Sequence, residues 1–236
     1  MRERVLPWGR YLAAVALLLG YGATAACSAD SVEPTFPSPG LDSPRPGATE
    51  SSVVTPGPGT TKPGIDLTVV PLPDGSFDIT ENLMLPTATD MLPLQLPPSG
   101  EQLPGMMART APRVTNLSVL ADDQSVPLEN TTYAGAGDLP LTVAATRVRL
   151  TYRLSASSVL ATPSESRRAG AAIRPLTASA DAALPTDVKV TSGLLNAVCP
   201  LLTEPRCAVG DPPHLTIQSG IPAGKALVVL QLDLPR

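Results

Sequence analysis

Proline sets the strongest limit on what this chain can form. It occupies 28 of 236 positions and recurs along the whole length. Each proline removes a backbone donor and breaks a helix interior, so long helices have almost no uninterrupted room. Aromatics are 3% and charged residues 16% of the chain. A coiled coil or a helical bundle is thereby excluded, and the remaining regular structure must come from short strands.

The first 26 residues read as a leader. Arg2, Arg4 and Arg10 precede YLAAVALLLGYGATAA (Tyr11–Ala26), sixteen residues without a charge. A basic start, a short apolar run and small residues at its end are the marks of an export signal. The run is shorter than the roughly 20 apolar residues that span a bilayer. No later stretch qualifies, since the apolar tail Ala226–Leu232 includes Gln231 and has strand length.

Residues 27–64 form the next segment. From Ser28 to Gly64, Pro, Gly, Ser and Thr fill 24 of 37 positions, with no helical or strand period. Such a composition cannot bury enough apolar surface to offset the entropy of ordering, so a disordered tether is expected. Stretched as polyproline, it reaches roughly 110 Å.

Residues 65–236 change character. IDLTVV (Ile65–Val70) and SFDITENLML (Ser76–Leu85) alternate apolar with polar positions around Asp74-Gly75, which predicts a hairpin. Residues 86–112 hold six prolines and are expected to be loop or edge strand. RVTNLSVL (Arg113–Leu120) places Val114, Leu117 and Val119 inward with a phase slip. ADDQS (Ala121–Ser125) reads as a turn and VPLEN (Val126–Asn130) as a return strand. TRVRLTYRLS (Thr146–Ser155) shows the clearest period of two. Val148, Leu150, Tyr152 and Leu154 share one face, and Arg147, Arg149, Thr151 and Arg153 the other.

Further strands are expected in AAIRPL (Ala171–Leu176), TDVKVTS (Thr186–Ser192), HLTIQS (His214–Ser219) and KALVVLQLDL (Lys225–Leu234). The last is apolar on both faces at Leu227 and Val229, which predicts cover on both sides. SGLLNAVCPLL (Ser192–Leu202) is the one segment that reads as a short helical turn. The sum is an all-β domain, an antiparallel β-sandwich of about seven to nine strands. Its core must be aliphatic, because Phe77, Tyr133 and Tyr152 are its only aromatics.

Charge narrows the partners. The formal net charge is −4. The leader carries three Arg and one Glu, so its removal leaves about −6, which argues against a nucleic-acid partner. Arg outnumbers Lys 14 to 3 with Ala and Pro abundant, as in a GC-rich bacterial genome. Arg147, Arg149 and Arg153 are a candidate contact for an anionic polymer or lipid headgroup. Pairing with Asp and Glu of neighbouring strands is the alternative.

Three cysteines are present. Cys199 and Cys207 lie eight residues apart, and an exported chain permits their disulfide. Two cysteines without a nearby pair of histidines do not make a zinc pattern. No G-x-S-x-G, H-E-x-x-H or phosphate-loop sequence occurs. His214 is the sole histidine and reads as a loop-edge residue, and Asp122-Asp123 reads as a turn rather than a calcium loop. No catalytic residue, metal site or cofactor is implied.

Two resemblances add to this reading. TAAC (Thr24–Cys27) resembles the lipobox of bacterial lipoproteins, with Thr24 where that family usually has Leu. The resemblance implies a diacylglyceryl group on Cys27; ordinary cleavage after Ala25 or Ala26, with free secretion, is the alternative. Several segments of residues 65–236 together resemble an uncharacterised family of predicted bacterial membrane proteins. They are PDGSFDITENLML (Pro73–Leu85), RVRLTYRLS (Arg147–Ser155), CPLLTEPRCAV (Cys199–Val209) and IPAGKALVVLQLDLP (Ile221–Pro235). That resemblance implies a β-rich extracytoplasmic domain with no known activity. The family's transmembrane helices have no counterpart here, so a lipid on Cys27 is expected to serve as the anchor. The expectation is a binding or assembly module on the outer face of the cell membrane, meeting an envelope protein or polymer. A hydrolase acting on envelope material is the alternative.

Overall fold

A computed structural model of the chain describes residues 59–161 and 167–236. The leader, Cys27 and the tether up to residue 58 lie outside the described residues. The domain is all-β, with two 3-10 turns, Gly100–Gln102 and Ala223–Lys225, as its only helical elements among the described residues.

In chain order the strands are β1 (Gly64–Pro71), β2 (Phe77–Leu94), β3 (Arg113–Ala121), β4 (Gln124–Ser125), β5 (Gly137–Ser155), β6 (Ser158–Leu160), β7 (Arg168–Ile173), β8 (Pro185–Val190), β9 (Leu194–Val198), β10 (Ala208–Val209), β11 (Thr216–Ile217), β12 (Ile221–Pro222) and β13 (Val228–Asp233). Eight have five residues or more, in line with the expected number of strands. They form a seven-stranded sheet, β12-β8-β1-β2-β5-β3-β4, and a four-stranded sheet, β6-β7-β13-β9, with β10-β11 as a separate ribbon. Pairing is antiparallel except for β1 and β8, which run parallel.

The core lies between the two sheets. Ile65, Leu67, Phe77, Leu83, Leu150 and Leu154 of the large sheet meet Ala171, Ile173, Val228, Leu230 and Leu232 of the small one, all 0–1% exposed. Each such aliphatic side chain contributes about 1.5–3 kcal/mol of transfer free energy. The inward positions of β1, β2, β3, β5 and β13 are those that the period of two predicts.

The β1–β2 hairpin closes at Asp74-Gly75. Gly75 has φ +81°, and a Cβ there would stand 2.7 Å from Ser158 Oγ, so the turn requires glycine twice over. The Asp74 Oδ1 atom accepts from the Ser76 N–H at 2.9 Å and the Ser76 hydroxyl at 2.6 Å. The Ser158 hydroxyl donates to the Gly75 carbonyl at 2.7 Å, which seats the hairpin tip on β6. In β3 the phase slip is a bulge at Asn116, φ +55°, after which Leu117 returns to the core at 2% exposed. Asp122 and Asp123 both have positive φ, 45° and 67°, the primed geometry of a two-residue hairpin turn.

Two expectations are corrected, and β2 and β5 run further than alternation predicts. Residues 86–94, expected as loop or edge strand, form the second half of β2, which pairs with Gly137–Ala145 of β5 beyond the end of its ladder with β1. The ladder jumps register between Met84 and Thr89 and again before Met91, so Pro86 falls in the break where no donor is needed. The first half of β5 shows no clear alternation, because Pro140 interrupts it; opposite Met91 this proline sits in a strand beside the second irregularity. The return after the Asp turn is Gln124–Ser125, not Val126–Asn130, since a two-residue turn places the pairing immediately after it. The segment Leu194–Val198 is strand β9 rather than helical. Gly193, φ +71°, and Pro200 leave it too short for a helix, and its backbone pairs with β13.

Candidate functional site

Three places concentrate chemistry: the arginine face of β5, a buried carboxylate on β2, and the outer face of the small sheet. On β5, Arg147, Arg149 and Arg153 point outward together, as their spacing predicts. Each meets a neighbour. The Arg153 guanidinium donates from Nε and Nη2 to the two Asp78 carboxylate oxygens at 2.9 and 3.1 Å, a fork-on-fork pair that holds its pKa above the ordinary value. Arg149 Nε donates to Asn82 Oδ1 at 2.9 Å. Arg147 Nη2 donates to Asp123 Oδ2 at 3.1 Å, and its Nε stands 3.8 Å from Asp122 Oδ1. The Asp turn after β3 and the outward positions of β2 thus supply partners for the whole row.

Glu81 lies on the opposite face of β2 and is 0% exposed. Its Oε2 accepts the Leu176 N–H at 2.7 Å and the Tyr152 hydroxyl at 3.3 Å. Its Oε1 accepts the Thr177 N–H at 3.0 Å and the Thr177 hydroxyl. Burial raises the Glu81 pKa above the ordinary glutamate value, and the four donors pull the other way. Burial, then the Glu81 charge, pushes the Tyr152 phenol well above its ordinary value. Two backbone donors have no other use than to meet an acceptor, so the cluster ties the turn after β7 to the large sheet. The sequence does contain a signal for it: in Phe77, Ile79, Glu81, Leu83 an acid occupies a core position of the alternation.

The outer face of the small sheet is apolar in its middle. Ala172, Leu227 and Val229 are covered by Leu103 and Met106 from the segment between β2 and β3. This is the second cover expected for the last strand. Gly170 makes the approach possible, because a Cβ there would stand 3.0 Å from the Gly105 carbonyl oxygen and 3.3 Å from Met106 Cγ. Beside this strap runs an open groove of about 580 Å³, lined among others by Met106, Leu160, Leu195, Gln231 and Arg168.

Cys199 and Cys207 form a disulfide with Cα atoms 5.8 Å apart, both residues fully buried. It joins the end of β9 to the start of β10. His214 is exposed in a turn, where its backbone N–H donates to the Asp211 carbonyl at 2.8 Å. Cys27 lies outside the described residues. Among the described residues no group of three His, Cys, Asp or Glu side chains stands together as metal ligands, and no helix is long and apolar enough to cross a membrane.

No family model and no curated protein matches the sequence. Among solved structures the chain is similar to an aminopeptidase N family protein from Idiomarina loihiensis, with 12% identity and a TM-score of 0.44. The similarity covers 72% of this chain and 29% of that one, so the chain spans less than a third of that protein's length. A likeness of this degree carries no argument about function.

Proposed function

We propose that the chain is an exported binding or assembly module, held at the outer face of a bacterial membrane by a lipid on Cys27. The tether then acts as a spacer for the sandwich. The observation that carries this reading is the buried Cys199–Cys207 disulfide. Structural disulfides persist in oxidising compartments and are rare in the reducing cytosol. With two of three cysteines paired, Cys27 is left as the single thiol, placed where a lipobox puts its modified residue.

The arrangement of charged groups supports binding over catalysis. Glu81 is sealed from solvent with both oxygens engaged, and the arginines of β5 are taken up by their neighbours. The groove on the small sheet is the exposed apolar feature suited to a partner.

The test is labelling in the native host with a radiolabelled fatty acid, paired with cross-linking at the cell surface. The reading expects label on the wild-type chain, none on Cys27→Ser, and a cross-linked envelope partner. An unlabelled wild-type chain in the culture supernatant overturns the anchor, and absence of any cross-linked product overturns the binding role.

A further inference from the structure

The geometry points to the groove on the small sheet as a site for one single-chain anionic amphiphile: an acyl chain ending in a carboxylate. The inference rests on the binding-module reading and names the class of ligand for it.

Apolar character comes first. Leu160 on β6 and Leu195 on β9 are 53% and 41% exposed, at opposite edges of a four-stranded sheet, and both line the same groove. Met106 forms the wall on the strap side. Leu195 is exposed because the β9–β13 ladder slips between Gln231 and Leu232, which leaves it as the extra residue of a bulge. Gly170 contributes no side chain to the floor, so an extended alkyl chain can lie close to the backbone. The volume of about 580 Å³ falls within the range of about 300–1,000 Å³ typical of small-molecule sites.

Polarity then selects the head group. Gln231 presents an amide with no hydrogen-bond partner among the described residues, and Arg168 lines the groove with no carboxylate of the described residues within 4 Å. Asp233 lies opposite Arg168 in the β7–β13 register but makes no ion pair with it. Arg147 and Arg153, by contrast, are already paired on the large sheet. A guanidinium and an amide without partners among the described residues, beside exposed leucines, complement a carboxylate on a chain better than a neutral or cationic lipid.

The experiment is equilibrium dialysis of the mature protein against dodecanoate and dodecanol, below micelle-forming concentrations. Three proteins are compared: wild type, Arg168→Gln, and Leu160→Gln with Leu195→Gln. The substituted positions are exposed, and an unchanged urea midpoint confirms that each variant is folded. Wild type is expected to take up one dodecanoate per chain. Arg168→Gln should weaken dodecanoate by about fivefold, the scale of an exposed ion pair, and leave dodecanol unchanged. The double leucine variant should weaken both ligands. Absence of saturable uptake, or an equal effect of Arg168→Gln on both ligands, overturns the assignment. So does a sedimenting dimer that the double leucine variant dissolves, which would make a second copy the occupant. A cross-linked envelope partner together with no dodecanoate uptake leaves the binding-module reading standing and removes this one.

Discussion

Glu81 on β2 accepts the backbone N–H of Leu176 at 2.7 Å, from 95 residues further along the chain. The same carboxylate holds Thr177 through its backbone and its hydroxyl. A buried acceptor of this kind is costly to place, but once its donors converge on it, removal strands them.

Glu81→Ala should therefore lower stability by about 3 kcal/mol or more, because two core N–H groups lose their acceptor. For a domain of this size that corresponds to a melting point lower by roughly 6–12 °C. Glu81→Gln should fall between the two proteins, since its amide nitrogen must face a backbone donor. Urea denaturation of the three proteins checks the order.

The raised Glu81 pKa fixes the sign of a pH effect. The folded state holds this proton more tightly than the unfolded chain, whose glutamate titrates at the ordinary value of 4.5. Stability from this group is therefore fully present below 4.5 and is lost as pH rises through the folded value. Asp66, raised by burial and by the Asp187 charge against the opposing Lys189, acts in the same direction. Urea midpoints measured upward from pH 4 should show the wild type losing ground relative to Glu81→Gln, since Asp74, lowered by its Ser76 hydrogen bonds, acts the other way in both proteins. A wild-type midpoint that gains on Glu81→Gln over that interval contradicts the sign.

The disulfide closes a nine-residue loop, Cys199 to Cys207. In the chain-entropy model its removal costs about 2.6 kcal/mol. The double variant Cys199→Ser, Cys207→Ser should show that loss in urea. Adding a reductant should lower the wild-type midpoint and leave the variant's unchanged.

The strap over the small sheet depends on Gly170. Gly170→Val should lift Gly105 and Met106 from the sheet, because even a Cβ comes within 3.0 Å of the Gly105 oxygen. Limited trypsin digestion should then cut faster after the exposed Arg109, and unchanged digestion would mean that the strap rests on other contacts.

Much of this architecture can be read from alternation. Val148, Leu150, Tyr152 and Leu154 of β5 are buried as their period demands, and Leu227 and Val229 of the last strand do carry a second cover. The arginine row was legible as a face, while its Asp and Asn partners depended on strand register. The second half of β2 and the first half of β5 do not stand out as strands in a one-dimensional pattern, because Pro86, Pro93 and Pro140 interrupt their alternation. Glu81 is legible as an acid in phase with the core positions of its strand, while its partner Thr177, 96 residues away, depends on the fold. The groove was invisible for the same reason, since its walls come from four strands and a proline-rich strap.

The central claim is delivery to an oxidising exterior by a lipid-modified Cys27. Intact-mass spectrometry of the protein purified from its native membrane tests it most directly. The account predicts a chain beginning at Cys27, heavier by a diacylglyceryl group and lighter by two hydrogens at Cys199 and Cys207. An intact Met1 in the cytosolic fraction with both thiols reduced would contradict it.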